Sequence, residues 1–372
     1  MKRLAAVFMT MCMLLTIAGC AGKDDVGSVS SSSLPVSESQ AEESSETESS
    51  EAESSEVSDE AGGIVSSGPE SSEPAADTGA VRVAALKGPT AMGMIQMMDQ
   101  EDYEFTLAAS ADEVTPLIIQ GKVDIAAVPA NLAAVLFSKT EGKISVIDIN
   151  TLGVLYILEN GEATVSSVED LRGKTIFASG KGATPEYALN YTLTENGIDP
   201  AADVTIEYKS EHAECVAALV STENSVAMLP QPFVTSAQMQ NEGIQVVLDM
   251  TAEWEKLASA EGNEDVTLVT GVTIVRNEFL QENPEAVERF LADHEASEEF
   301  VNQSPAEAAR LIEAQDILKA PVAEKAIPFC NITCVTGEDM KKQLASYLNV
   351  LAGQNIESIG GALPDDTFYY SK

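Results

Sequence analysis

Val83-Ala84-Ala85-Leu86-Lys87-Gly88-Pro89-Thr90-Ala91-Met92-Gly93-Met94 is the stretch on which the reading of the fold turns. The largely apolar run Val81 to Leu86 has the length and bounds of a buried strand. It stops at Lys87-Gly88, and Pro89 suits a first helical position, because its missing N–H is one that a helix start leaves unpaired anyway. Met92, Met94, Ile95, Met97 and Met98 supply apolar faces, so a helix is expected over Ala91–Gln100. Strand, small-residue corner and helix start follow one another within a dozen residues. The same grammar returns about ninety residues later. Thr175-Ile176-Phe177-Ala178-Ser179 reads as a strand. Gly180-Lys181-Gly182-Ala183-Thr184-Pro185-Glu186-Tyr187 then turns into a helix, with Thr184 as expected N-cap and Pro185 at the first position. The echo predicts two similarly built α/β lobes. Each offers unpaired helix-end N–H groups at the carboxyl end of its first strand, where ligands bind in open α/β sheets.

Outward from these corners the chain alternates strand and helix, the pattern of βαβ units and mainly parallel sheets. In the first half, strands are expected at Tyr103–Ala109, Val123–Val128 and Ile144–Ile149. A capping box at Ser110/Glu113 opens one helix, and Asn131 caps another after Pro129-Ala130. Asn150 to Glu159 is a long extended apolar run with Gly153 inside it. It reads equally as a hairpin strand or as a crossing from one lobe to the next. The second half repeats the order in outline, and Thr267–Val275 is a β-branched strand suited to bringing the chain back. Helices are expected after it, from Pro284, from Ser304-Pro305 and over Glu338–Leu351.

The amino terminus sets the address. Met1-Lys2-Arg3, an apolar run to Ile17 and Ala18-Gly19-Cys20 have the charge, length and small-residue end of a secretory signal, expected over 1–19. Residues 21–78 form a Ser/Glu tract with fifteen acidic residues and one Lys. So little apolar surface cannot offset chain entropy, and a disordered, self-repelling tether over 20–78 is expected. The chain carries a formal charge of −39, of which −27 falls on residues 79–372. A folded part that acidic lacks the basic footprint of a nucleic-acid binder. Of five cysteines, Cys12 lies in the signal and Cys20 follows it. Cys215 reads as a buried free thiol. Cys330 and Cys334 can be bridged only if the chain between them turns, since four extended residues span roughly 13 Å. His212 and His294 fall in different helices with no ligand-like spacing and no proximity in sequence to either Gly-rich corner. No metal site and no cofactor are expected.

Ile17-Ala18-Gly19-Cys20 resembles a bacterial lipobox, which implies cleavage before Cys20 and its lipidation, and so a chain held by lipid on the extracytoplasmic face of the cell membrane. Three further stretches narrow the resemblance: Ser167-Val168-Glu169-Asp170-Leu171-Arg172-Gly173-Lys174-Thr175-Ile176, Gly121-Lys122-Val123-Asp124-Ile125-Ala126, and Phe279 to Leu291 with Pro284, Val287 and Phe290. In this order they resemble substrate-binding lipoproteins of ABC transporters, of the group taking up nitrate, sulfonates, taurine and thiamine-related pyrimidines. The resemblance covers residues 80 to about 355. It implies a type II periplasmic-binding-protein fold with a cleft between lobes, 79–155 plus 265–372 forming one and 156–264 the other. It also implies a monomer that meets a permease and its ATPase. One departure is Gln231 in Met228-Leu229-Pro230-Gln231-Pro232, where many members carry an acid; the change argues against a cationic or guanidinium-like contact and leaves amide recognition open.

The expected walls of the cleft are Lys87, Gly88, Pro89, Thr90 and Ala91 from the first corner, Pro129, Ala130 and Asn131 from the third-strand turn, and Leu152 and Gly153 from the crossover. Gly180, Lys181, Gly182, Ala183, Thr184, Tyr187 and Gln231 face them from the second lobe. The bland readings stand beside these: threonines that cap helices, lysines that are solvated, methionines and tyrosines that pack. The expected ligand is a small organic or anionic solute. No nucleophile–base–orienter set is legible, so a binder rather than an enzyme is expected. The rivals are an enzyme of thiamine-pyrimidine or menaquinone biosynthesis on the same scaffold, and a ligand-binding sensor lipoprotein.

Overall fold

Strand order carries the architecture. The structure is a computed structural model that describes residues 79–260 and 266–371. The signal, the lipobox with Cys20 and the Ser/Glu tract lie outside the described residues. Strands β1 (Val81–Leu86), β2 (Tyr103–Ala108), β3 (Ile125–Pro129) and β4 (Ile144–Leu152) come first. They are followed by β5 (Leu155–Asn160), β6 (Thr175–Ala178), β7 (Thr205–Tyr208), β8 (Val226–Pro230), β9 (Ile244–Asp249), β10 (Val269–Arg276) and β11 (Ile332–Val335). They form two sheets, ordered β11-β4-β10-β3-β1-β2 and β7-β6-β8-β5-β9. Apart from edge strand β11, each sheet runs second, first, third, inserted and fourth strand. The echo of Lys87-Gly88 in Lys181-Gly182 is therefore an echo of topology.

The inserted strands come from outside each sheet's own run. β4 ends at Leu152, and β5 begins at Leu155 in the other sheet, so the Asn150–Glu159 run is the crossing and not a hairpin. β10 carries the chain back and lies antiparallel to both β3 and β4. β5 is antiparallel to both β8 and β9, while β1–β2, β1–β3, β6–β7 and β6–β8 are parallel. The expectation of mainly parallel sheets is thus corrected to mixed sheets. A strand arriving from the neighbouring lobe enters against the direction of the βαβ units.

Gly153 sits at the first crossing, where a Cβ would meet Thr251 Oγ1 at 1.9 Å and its Cβ at 2.9 Å. Its carbonyl accepts a hydrogen bond from Asn331 Nδ2. The close approach of the Thr251 side chain explains a glycine inside an otherwise apolar run.

The methionine-rich segment departs from expectation. Helix occupies only Pro89–Met92, and turns follow to residue 99. Met92, Met94, Ile95 and Met97 are all buried, and they divide between two separate apolar clusters. A single helix face cannot serve both. Gly93 is pressed against Ile332, whose methyl would lie 2.9 Å from a Cβ there.

Asp124, from the Gly121–Ala126 motif, pins the first sheet. Its Oδ2 accepts from Arg82 N at 3.2 Å and Arg82 Nε at 2.9 Å. Its Oδ1 accepts from Arg82 Nη2 at 2.5 Å and Arg276 Nη2 at 2.9 Å. One carboxylate therefore ties β1 and β10 to the entrance of β3. Burial raises its pKa, but the two guanidinium groups outweigh that and hold it below the usual aspartate range. Among the described residues no helix is long and apolar enough to cross a membrane.

Candidate ligand-binding cleft

Strand ends from both sheets converge on one cavity of about 260 Å³. Leu86, Lys87, Gly88, Pro89 and Thr90 enter from the end of β1, and Pro129 from the end of β3. Gly180, Ala183, Thr184 and Pro185 enter from the corner after β6, and Pro230, Gln231, Pro232 and Phe233 from the end of β8. Val154 and Leu155 line it from the crossing, and Thr270 from the start of β10. Both glycine corners are conformationally demanding. Gly88 has φ 143° and Gly180 φ 76°, regions in which a side chain is strained. At Gly180 a Cβ would also press on the Pro185 ring at 2.8 Å.

Nine of the expected wall residues line this cavity: Lys87, Gly88, Pro89, Thr90, Pro129, Gly180, Ala183, Thr184 and Gln231. The others lie elsewhere. Ala91 is wholly buried in the core beneath the first corner. Gly153 stands behind the wall against Thr251. Lys181 lies over the Tyr208 ring, 5.7 Å from its centroid. Gly182 is exposed, and its N–H donates to Glu186 Oε2 at 2.5 Å. Tyr187 faces a separate groove bordered by Glu186, Asn190, Ser346 and Asn355.

Asn131 does not cap its helix, which runs Ala130–Lys139 after Pro129. It is buried, its Nδ2 donating to Ser358 O at 3.4 Å and its Oδ1 accepting from Thr184 Oγ1 at 3.4 Å. Thr184 is likewise no cap: Ala183 holds that position for helix Thr184–Glu195. The Thr184 hydroxyl accepts from Tyr347 OH at 3.0 Å. It thereby joins the second-lobe corner to helix Gly337–Gln354, which packs on the first sheet.

The electrostatics of the cavity are quiet. Lys87 does not present a free charge: Nζ donates to Asp316 O at 2.8 Å and pairs with its carboxylate at 3.2 Å. Gln231 is only 4% exposed and is joined to Pro232 by a cis peptide. Its Oε1 accepts from Thr235 Oγ1 at 2.9 Å and Thr235 N at 3.3 Å. That leaves Nε2 as the donor end of the amide. Among the described residues Thr270 Oγ1 is buried without a hydrogen-bond partner. An unmade hydrogen bond of a buried group is costly, so this hydroxyl, on a residue that lines the cavity, points to a polar occupant.

His212 also lines the cavity, contrary to the expectation from sequence spacing. β6 and β7 are parallel, with Ala178 opposite Tyr208, so the residues after both strands emerge side by side. His212 Nδ1 and Ser179 Oγ share a hydrogen bond, and the ring stands 4.9 Å from that of Phe233. Burial lowers the imidazole to about 4, so it is neutral at physiological pH. In the window between the ordinary value near 6.5 and about 4, the unfolded chain binds the proton that the folded chain refuses. Stability therefore falls as pH drops from 7 to 5, by about 2 kcal/mol from this group. Urea unfolding across that range should show a flatter pH slope for His212→Gln; an unchanged slope would contradict the assignment.

Two lobes of one strand order, joined by crossing strands and opening a cavity at their strand ends, define a periplasmic-type solute-binding protein. Residues 92–299, more than half of the chain, match the family model described as ABC transporter, phosphonate, periplasmic substrate-binding protein. The chain belongs to that family and is a substrate-binding component of an ABC import system. No curated protein matches it by sequence. Among solved structures, an ABC transporter protein of Parabacteroides distasonis is similar at TM-score 0.67 and 20% identity, covering 79% of this chain and 99% of that one. The periplasmic aliphatic sulphonate binding protein of Escherichia coli is similar at TM-score 0.61 and 15% identity, covering 79% and 94%. A periplasmic sulfonate-binding protein of Methylobacillus flagellatus is similar at TM-score 0.57 and 17% identity, covering 78% and 91%. At these identities the likeness is one of fold.

Proposed function

We propose that the cavity captures a small organic solute with a compact oxyanion head of the phosphonate or sulfonate class and hands it to an ABC permease. The observation that carries this is the unpartnered Thr270 Oγ1 and the Gln231 amide, whose Oε1 is taken by Thr235, on residues that line one cavity with the first turn of helix Thr184–Glu195. A helix start favours negative charge, and amide and hydroxyl donors hold an oxyanion without a lysine. Leu86, Val154, Leu155, Pro230 and Phe233 give the organic body apolar walls. The volume of about 260 Å³ lies below the roughly 300–1,000 Å³ of drug-sized pockets, which favours a small solute. The family description and the sulfonate-binding neighbours support the head group.

Binding rather than catalysis fits the site. Ser179, whose hydroxyl is hydrogen-bonded to His212, is 2% exposed and is not among the residues that line the cavity. In this reading Cys20 carries the lipid, the acidic tract is a tether, the lobes divide near 155 and 264, and the protein works as a monomer on the extracytoplasmic face. Isothermal titration of alkylphosphonates and alkanesulfonates should find a ligand of roughly micromolar affinity or tighter. Gln231→Ala should weaken it about tenfold, the worth of one buried hydrogen bond. A panel with no binder, or a best ligand indifferent to both Gln231→Ala and Thr270→Val, would overturn the proposal.

A further inference from the structure

Away from the cleft, three side chains with three different donor atoms converge. Asp148 of β4, Cys334 of β11 and His294 of helix Pro284–Gln303 each bring a ligand-type atom within 4.8 Å of the other two. Asp148 and His294 have no exposed side-chain surface, and His294 Nδ1 lies 3.2 Å from Asp148 Oδ2. The other carboxylate oxygen, Oδ1, accepts from Thr273 Oγ1 at 2.7 Å, and that hydroxyl accepts from Asn150 Nδ2 at 3.1 Å. The carboxylate is thereby oriented from behind, as ligating carboxylates are. His294 Nε2 is buried with no hydrogen-bond partner among the described residues. A hollow of about 110 Å³ opens on Cys334, walled by Glu288, Leu291, Ala292, Glu295 and Thr336.

A buried histidine–aspartate pair is an ordinary core device. It does not account for a thiol beside both groups, nor for the carboxylates of Glu295 and Glu298 near that thiol. A neutral thiol gains nothing from surrounding carboxylates, whereas a divalent cation gains from every one of them. We propose that Asp148, His294 and Cys334 form a binding site for one divalent cation of the zinc class, separate from the solute cleft. Thiolate, imidazole and carboxylate together select a borderline-soft ion over magnesium or calcium, which prefer oxygen alone. Three protein donors leave a fourth position for water or for the carboxylate of Glu295, which borders the same hollow as Cys334. On binding, the Cys334 S–H bond breaks, sulfur bonds the metal and the proton leaves to solvent.

The test uses the full chain, stripped with a chelator and titrated with Co²⁺ and then Zn²⁺. One equivalent of Co²⁺ should give near-ultraviolet thiolate charge-transfer absorption and intense tetrahedral visible bands, and Zn²⁺ should abolish both. Cys334→Ser should remove the charge-transfer band and weaken Zn²⁺ binding by at least about tenfold. Cys20→Ser, Cys215→Ser and Cys330→Ser should keep it. As a measurement that needs no variant, Zn²⁺ should slow alkylation of Cys334, read by peptide mass. Absence of the band at millimolar Co²⁺, its survival in Cys334→Ser, or alkylation of Cys334 at the same rate with and without Zn²⁺ would each overturn the proposal.

Discussion

Asp124→Asn should cost about 3 kcal/mol of folding stability, read as a lower urea midpoint at an unchanged denaturant slope. The aspartate accepts four hydrogen bonds from two arginines, and its side chain is 4% exposed. Asparagine keeps the shape but presents one donor to groups that are all donors. It also removes the buried counter-ion that both guanidinium groups share, while Arg276 keeps its pair with Glu278 at 2.9 Å. The figure stays at the low end for a broken buried pair, because Arg82 is 40% and Arg276 19% exposed, so water compensates in part. The sign in acid follows from the lowered pKa. The contribution is fully present above the unfolded value near 4 and disappears as pH falls through the lower folded value. Wild type and Asp124→Asn should therefore begin to converge in stability below about pH 4 and meet only below the lower folded value. A difference that stayed constant into acid would show that the loss is packing and not charge.

Asp124 also shows what sequence makes legible. Gly121-Lys122-Val123-Asp124 marked a strand entrance because its chemistry is local: a chain reversal, then apolar residues, then one acid. The two glycine corners were legible for the same reason, since strand, small residues and proline dictate a strand-to-helix turn wherever they occur. The antiparallel entry of β5 and β10 was not legible. It is set by the crossing at Gly153, where the glycine answers to Thr251 about a hundred positions on. His212 was missed because about thirty residues separate it from the corner at Gly180, yet a signal existed. Parallel first and second strands must end side by side, so the residue after each shares one rim. Asp148, His294 and Cys334 had no such signal, because helix Pro284–Gln303 brings the histidine in from the far side of the chain. Thr184 and Asn131 were read as caps from residue type, a preference that three-dimensional contacts overrode: each bonds across the lobes instead.

That bond across the lobes rests on aromatic packing, and Trp254→Ala tests it. Trp254 is fully buried, its ring 4.5 Å from that of Tyr191 and 5.7 Å from that of Tyr347. Tyr191 belongs to the helix whose first turn lines the cleft, and Tyr347 donates to Thr184 in that turn. Removing the indole leaves a cavity that costs about 3–5 kcal/mol, a large part of the stability of a domain this size. Far-ultraviolet circular dichroism in urea should record the shift, since the variant loses the chain's single tryptophan. Trp254→Phe should cost much less, because Nε1 has no hydrogen-bond partner among the described residues and only volume is lost. The functional consequence follows from the same contacts. With the seam loosened, the Thr184 corner is held against the first lobe less firmly, and solute affinity should fall in Trp254→Ala while largely surviving in Trp254→Phe. In the wild type the lone indole is a built-in reporter, so solute capture should change its emission. Equal midpoints for Trp254→Ala and wild type would mean that the lobes are held together elsewhere and that the aromatic seam is only filling space.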